Sequence, residues 1–205
     1  AAASLPLSFF PTMKTSMFVA TVATLFALVA AGPDKCPTPP TVDTISVPKY
    51  MGVWYEISAN KGFKDILERG LECTTANYTL DASSGMVHVD NSGIKDSPTG
   101  TRTHAIGKAK QVSGGKLEVA FFADFYGPYW VIDLIGDAPY QVSMVYSCVS
   151  GLLGVEDLWI LSRTPQLPSG VTLDSLFAKA QTYGINTTAL QMIPTAQPSN
   201  CVYGN

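Results

Sequence analysis

Lys49-Tyr50-Met51-Gly52-Val53-Trp54-Tyr55-Glu56-Ile57 is the stretch whose reading decides the fold. A glycine stands two residues before a tryptophan, and a tyrosine follows, at the head of a run that reads as a β-strand. Gly52 is expected to let the chain bend into a barrel where a side chain would clash. Trp54 is large enough to plug one end of a small barrel. Arg163, far off in sequence, is the natural cation to lie over its ring. Gly52, Trp54 and Arg163 are therefore read as the floor of a cup, and the cup as the holder of an apolar ligand.

Strand signals continue outward from this point for about a hundred residues. Gly52–Ala59 is followed by a longer loop, Asn60–Gly70, with room for a short helical turn. Glu72–Leu80 is rich in Thr and aromatics, and Asp81–Gly85 reads as a hairpin loop. Met86–Asn91 interleaves apolar and polar residues, after which Ser92–Gly100 turns the chain. Thr101–Val112 and Lys116–Phe122 flank the tight turn Ser113-Gly114-Gly115, and Gly127-Pro128 is read as a break. Tyr129–Ile135, Gln141–Val149 and Asp157–Ser162 complete eight strands, a spacing that fits an antiparallel barrel or a sandwich. One helix follows. Thr172 reads as its N-cap, Leu173, Leu176, Phe177 and Ala180 form one apolar stripe, and Gly184 stops it. A lone amphipathic helix must bury its stripe on the outside of the sheet, which explains strands that are apolar on both faces, such as Tyr129-Trp130-Val131-Ile132.

The 205 residues suit one domain plus processing segments, and 46% apolar against 14% charged residues suits a sizeable core. The net charge of −3 argues against a nucleic-acid partner. Met13–Met17 is a short basic start, Phe18–Val29 is apolar, and Ala30-Ala31-Gly32 is small, which is the pattern of a secretory signal peptide over residues 13–32. Residues 1–12 precede the start Met13 and read as leader sequence, so 33–205 is taken as one domain, opened by a Pro-rich arm and closed by a tail. The chain is read as secreted. Four cysteines remain, Cys36, Cys73, Cys148 and Cys201, an even count that implies disulfides with three pairings open. No Cys/His spacing fits zinc. Asn77-Tyr78-Thr79 and Asn186-Thr187-Thr188 are N-glycosylation acceptors.

Together these residues resemble the lipocalins. Gly52-x-Trp54-Tyr55 is similar to the first lipocalin motif, Pro128–Ile132 leading to Val145-Tyr146-Ser147-Cys148 to the second, and Trp159–Pro165 with its Arg163 to the third. Lys35-Cys36-Pro37-x-Pro39-Pro40 and Cys73-x-x-Ala76-Asn77-Tyr78 place the likeness in the branch that holds apolipoprotein D, the insect bilin-binding proteins and the bacterial outer-membrane lipocalins. The resemblance covers residues 34–202. It implies an all-β, eight-stranded antiparallel up-and-down barrel with the helix packed outside, and disulfides Cys36–Cys148 and Cys73–Cys201. The rim loop Asn60–Gly70 and the glycine-bearing loop Ser150–Glu156 depart from the family pattern, so the ligand's identity does not transfer.

Strand parity supplies a pocket. If Arg163 points inward, Trp159 and Leu161 do too. If Asn77 faces out to carry a glycan, Tyr78 faces in. The resemblance carries ligand contacts onto Tyr78, Asn91 and Trp159, with Asn91 as the polar handle for a carbonyl or carboxylate. Alternation from Asn91 turns Val89 inward and His88 outward, and Glu56 shares the parity of Trp54. The bland alternative for Tyr78 and Trp159 is core packing, and for Trp54 and Arg163 a purely structural role. His88 and His104 show no metal or haem pattern. No G-x-S-x-G elbow or Ser-His-Asp trio is placed, so no catalytic residue and no enzyme activity is expected. The expected function is binding and transport of a small hydrophobic molecule: a fatty acid, sterol-like compound, bilin or carotenoid. No cofactor or metal is expected beyond such a bound lipid or pigment. The rim loops are candidates for contact with a membrane or lipoprotein surface, and the sequence sets no oligomeric state. The rival readings are a lipid- or pigment-modifying enzyme using the same cup, and a self-filled barrel that binds a partner.

Overall fold

The computed structural model describes residues 36–137, 139–151 and 154–203. The leader at 1–12 and the signal segment at 13–32 lie outside them. Among the described residues nine strands form one sheet: β1 Gly52–Asn60, β2 Leu71–Leu80, β3 Val87–Lys95, β4 Thr101–Ser113, β5 Lys116–Ala120, β6 Gly127–Ile135, β7 Val142–Val149, β8 Val155–Ser162 and β9 Met192–Pro194. Each of the first eight pairs antiparallel with its neighbour in sequence, and β1 pairs with both β2 and β8, so the sheet closes into a barrel. Closure leaves the eight-strand barrel itself with no exposed edge. The short helices α1 Val47–Tyr50 and α2 Lys61–Leu67 flank β1, and α3 Leu173–Thr182 and α4 Thr187–Leu190 precede β9.

Alternation along the strands builds two cores. Val131, Val145 and Leu161 face the barrel interior with Trp54, Tyr78 and Leu117. Ile132, Met144, Tyr146, Leu158 and Ile160, on the other face, pack against Leu176 and Ala180 of α3 and against Ile185. The later strands are therefore apolar on both faces because α3 covers one of them. Thr172 and Ser175 form a capping box at the start of α3, and Gly184 follows its end with φ +84°.

Cys36 is bonded to Cys148 and Cys73 to Cys201. The first bridge holds the N-terminal arm, which crosses the closed end of the barrel where Val42 bonds Val131 and Gly115 through the backbone. The second holds the C-terminal tail. β1 and β2 pair only from Gly52 to Tyr55, and beyond that they splay. The tail fills the gap: β9 pairs with Ser58–Asn60, and Gln197 Nε2 donates to both the Glu56 and Thr74 carbonyls.

Four expectations change. The segment after β1 is not a loop with a turn but the seven-residue helix α2, because Asn60 stays tied to β8 and the chain must return at once to β2. β3 runs on through Ser92 and Gly93 to Lys95, since β4 offers a continuous ladder from Thr101 to Ala109. β6 starts at Gly127: Pro128 lacks a donor but sits at the start of the strand, where it is tolerated. Gly52 is required for its φ of +90° and not for lack of room, because an added Cβ would meet Arg163 Nη1 at an ordinary 3.6 Å.

Candidate functional site: a closed-floor cavity in the barrel

The guanidinium of Arg163 lies 3.7 Å from the centre of the Trp54 ring. Its donors reach the carbonyls of Val53 (2.8 Å), Tyr50 (3.0 Å), Lys49 (3.1 Å) and Tyr140 (3.3 Å). Trp54 in turn donates to the Tyr50 carbonyl and is fully buried. This assembly seals one end of the barrel by locking α1, β1 and the β6–β7 connection onto a single planar cation.

Above it is a cavity of about 400 Å³. Its walls include Tyr78, Val89, Asn91, Trp159, Leu161 and Glu56, so the geometry brings the six residues singled out by parity and resemblance to one space. His88 and His104 stand outside: both are exposed, and His104 Nδ1 lies 2.8 Å from Asp90 Oδ1 on the outer face. Among the described residues no three His, Cys, Asp or Glu side chains group as a metal site. Asn77 and Asn186 are exposed, and the Asn186 side chain caps α4 by accepting from Ala189 N.

Sequence reasoning passed over several wall residues. At the floor, Tyr129 Oη lies 3.0 Å from Tyr50 Oη and 3.1 Å from Tyr78 Oη, and Tyr50 Oη lies 2.8 Å from Ser143 Oγ. Burial pushes the Tyr50 phenol up to about 12 and raises Tyr78 and Tyr129 as well, so all three stay protonated at neutral pH. Midway up, Thr74 Oγ1 and Asn91 Oδ1 are buried without a hydrogen-bond partner among the described residues, and both residues line the cavity. Near the mouth, Phe63 of α2 meets Trp159 edge to face, with centroids 5.0 Å apart. There too Lys64 bonds Glu56 and, at 2.6 Å, Glu68, with all three side chains nearly buried. Burial and the neighbouring Glu56 charge raise the Glu68 carboxyl well above its usual range, against the opposing pull of Lys64. The signal for Tyr50 was its place four residues before Trp54. For Tyr129 it was the inward parity of Val131.

A lipocalin-like domain model matches residues 45–195. The chain is a lipocalin. Apolipoprotein D of Mus musculus is 36% identical to it over 195 residues, spanning 90% of this chain and 95% of that protein. The outer membrane lipoprotein Blc of Escherichia coli is 35% identical over 171 residues, 80% of this chain and 88% of that one. Among solved structures, insecticyanin of Manduca sexta superposes with a TM-score of 0.64 at 20% identity, covering 83% of this lipocalin and 91% of that chain. Lobster apocrustacyanin A1 superposes at 0.60 with 18% identity, over 80% and 93%. These two carry the fold alone.

Proposed function

We propose that this lipocalin is a secreted, non-catalytic carrier of a small hydrophobic molecule held in the barrel. The observation that carries this reading is the cavity itself. A space of about 400 Å³ walled by apolar and aromatic side chains is of ligand size, and two oxygens in its wall, on Thr74 and Asn91, have no partner among the described residues. Buried polar atoms without partners carry a desolvation cost that a bound molecule's polar groups relieve. Burial of apolar ligand surface supplies the driving force, roughly 25 cal/mol per Å² before the costs of association. Two disulfides fit an oxidising compartment.

Native mass spectrometry of protein taken from its source tests the reading. A retained small molecule of apolar character supports a carrier. A reproducibly ligand-free barrel favours the partner-binding alternative, and product formed from an added lipid favours an enzyme. Within the cavity, Trp159→Ala removes the largest wall residue that is not part of the floor. It is expected to weaken the natural ligand about tenfold or more while leaving the unfolding midpoint within a few degrees, as read by ligand titration and thermal melts. Unchanged affinity would remove Trp159 from the site.

Loading is proposed to take place at a lipid surface. Phe122 and Phe125 of the β5–β6 connection are 76% and 77% exposed, and Ile66 and Leu67 of α2 are 77% and 67% exposed. Both segments stand at the mouth. Apolar side chains grouped at the opening of an apolar cavity suit insertion into a membrane interface. Ile66→Ser, at the one of these four side chains that does not line the cavity, is expected to slow ligand transfer from phosphatidylcholine vesicles severalfold, in stopped-flow fluorescence, with the dissociation constant for ligand in buffer changed less than twofold. An unaltered transfer rate would sink the lipid-surface step.

A further inference from the structure

Four hydroxyls form one unbranched chain under the cavity: Ser143, Tyr50, Tyr129 and Tyr78, joined by three hydrogen bonds. Each hydroxyl carries one proton, so three bonds leave one proton over. Its position follows from burial. Ser143 is completely buried and does not line the cavity. If Tyr50 donated to Ser143, the serine proton would be stranded, buried from solvent and with no other partner among the described residues, at the full cost of desolvating that group. Ser143 therefore donates to Tyr50. The surplus proton then belongs to one of the three phenols, Tyr50, Tyr129 or Tyr78, and all three line the cavity, Tyr129 and Tyr78 more openly than Tyr50.

We infer that the floor is a neutral hydrogen-bond-donating subsite, and that the ligand is seated with an uncharged carbonyl oxygen against Tyr78 and Tyr129 and its apolar body toward the mouth. This assignment rests on the carrier reading above and names the chemical class it takes. An acceptor is called for because the available group at the floor is a donor. Protonation of the three phenols is not in play near neutral pH, so the donor is permanent.

The acceptor is neutral because, among the described residues, no cation lines the wall to contact an anion. Among the described residues, and the tyrosines apart, the ionisable side chains lining the cavity are Glu56, Glu68 and Asp157, all acidic. The nearest cations are committed elsewhere. Arg163 directs its donors to four backbone carbonyls behind Trp54, and Lys64 bonds two carboxylates. A carboxylate driven to the floor would be buried with no cation in contact with it, the Arg163 charge standing on the far side of the Trp54 ring with its donors already used, which is the costly case.

The test compares 2-undecanone, undecane and dodecanoate on the wild-type protein and on Tyr78→Phe with Tyr129→Phe, which keeps both rings and removes both hydroxyls. The ratio of ketone to alkane affinity is expected to fall about tenfold in the variant, and dodecanoate to bind the wild type more weakly than the ketone does. In the wild-type complex the ¹³C-labelled ketone carbonyl stretch is expected below its position in alkane solvent, a reading that needs no variant to fold. An unshifted stretch, equal losses for ketone and alkane, or tighter binding of dodecanoate would each overturn the subsite. Alkane binding without any ketone preference would overturn it while leaving the carrier reading intact. Failure of both the ketone and the alkane to bind would overturn the two together.

Discussion

Cys73→Ala with Cys201→Ala is expected to lower the unfolding free energy by about 5 kcal/mol. The bridge spans 128 residues, and closing so long a loop in the unfolded chain removes roughly this much conformational freedom in the loop-entropy account. Since small domains have about 5–15 kcal/mol in total, the variant is expected to be marginal at 37 °C. Cys36→Ala with Cys148→Ala opens a loop of 112 residues and is expected to cost nearly as much by urea titration. The two variants part at the seam. Cys73 holds φ +54°, a left-handed conformation that a non-glycine residue keeps only under constraint, and its N–H bonds Ala196. Its bridge therefore keeps the tail wedged between β1 and β2. Amide exchange at Met192–Thr195 is expected to accelerate, and ligand to leave faster, only when the Cys73 bridge is absent. A loss of less than about 1 kcal/mol in the Cys73 variant would show that the unfolded chain is already compact. Identical exchange in the two variants would show that the tail is held by other means.

How far such features can be read from sequence depends on whether neighbours in the chain announce them. The Trp54–Arg163 floor was legible because a single large ring at the head of a strand has few roles, and an arginine at the end of the last barrel strand has few partners. Val145 and Leu161 against Met144 and Ile160 were legible as two faces of one sheet once a lone amphipathic helix required an outer core. Parity placed Tyr78, Trp159 and Leu161 with no knowledge of register, and the resemblance supplied Asn91, from which alternation gave Val89. Parity was not carried back along β2 from Tyr78, where alternation turns Ala76 and Thr74 inward as well; Thr75, of the opposite parity, reaches the wall beside the bulge between Glu72 and Thr75. Tyr50 escaped because it reaches the floor from a four-residue helix, where the period-two rule does not apply. Tyr129 escaped because Tyr129-Trp130-Val131-Ile132 is apolar on both faces, which conceals the inward one. The β9 wedge escaped for a different reason. Three residues ending at a proline carry no strand signal, and their pairing with β1 is decided by the Cys201 tether and by the splay of β1 from β2.

Arg163→Ala is expected to cost about 3–4 kcal/mol, which would make it the most damaging single substitution outside the disulfides. The side chain does two things at once. Its fork gives hydrogen bonds to the carbonyls of Lys49, Tyr50, Val53 and Tyr140, and its plane covers the Trp54 ring. Charge-assisted bonds to buried carbonyls are worth more than neutral ones, and acceptors stripped of their donor keep the cost of desolvation. Cation–π contact adds ~1–2 kcal/mol when shielded from water. The wild-type sum is not additive, since one planar group serves every contact. Arg163→Lys separates charge from geometry. An ammonium keeps the charge but cannot reach four carbonyls or lie flat on an indole, so it is expected to recover no more than about a third of the loss. Urea unfolding monitored by Trp fluorescence reads both variants. If lysine restored most of the stability, the floor would be held by charge alone, and if alanine cost under ~1 kcal/mol, Trp54 would seal the barrel without its cation. The Tyr50 carbonyl accepts from both Trp54 and Arg163, so the alanine variant also loosens the residue whose hydroxyl links Ser143 to Tyr129. Its ketone preference over alkane is therefore expected to decline together with its stability, whereas a purely mechanical floor would lose stability and leave that preference unchanged.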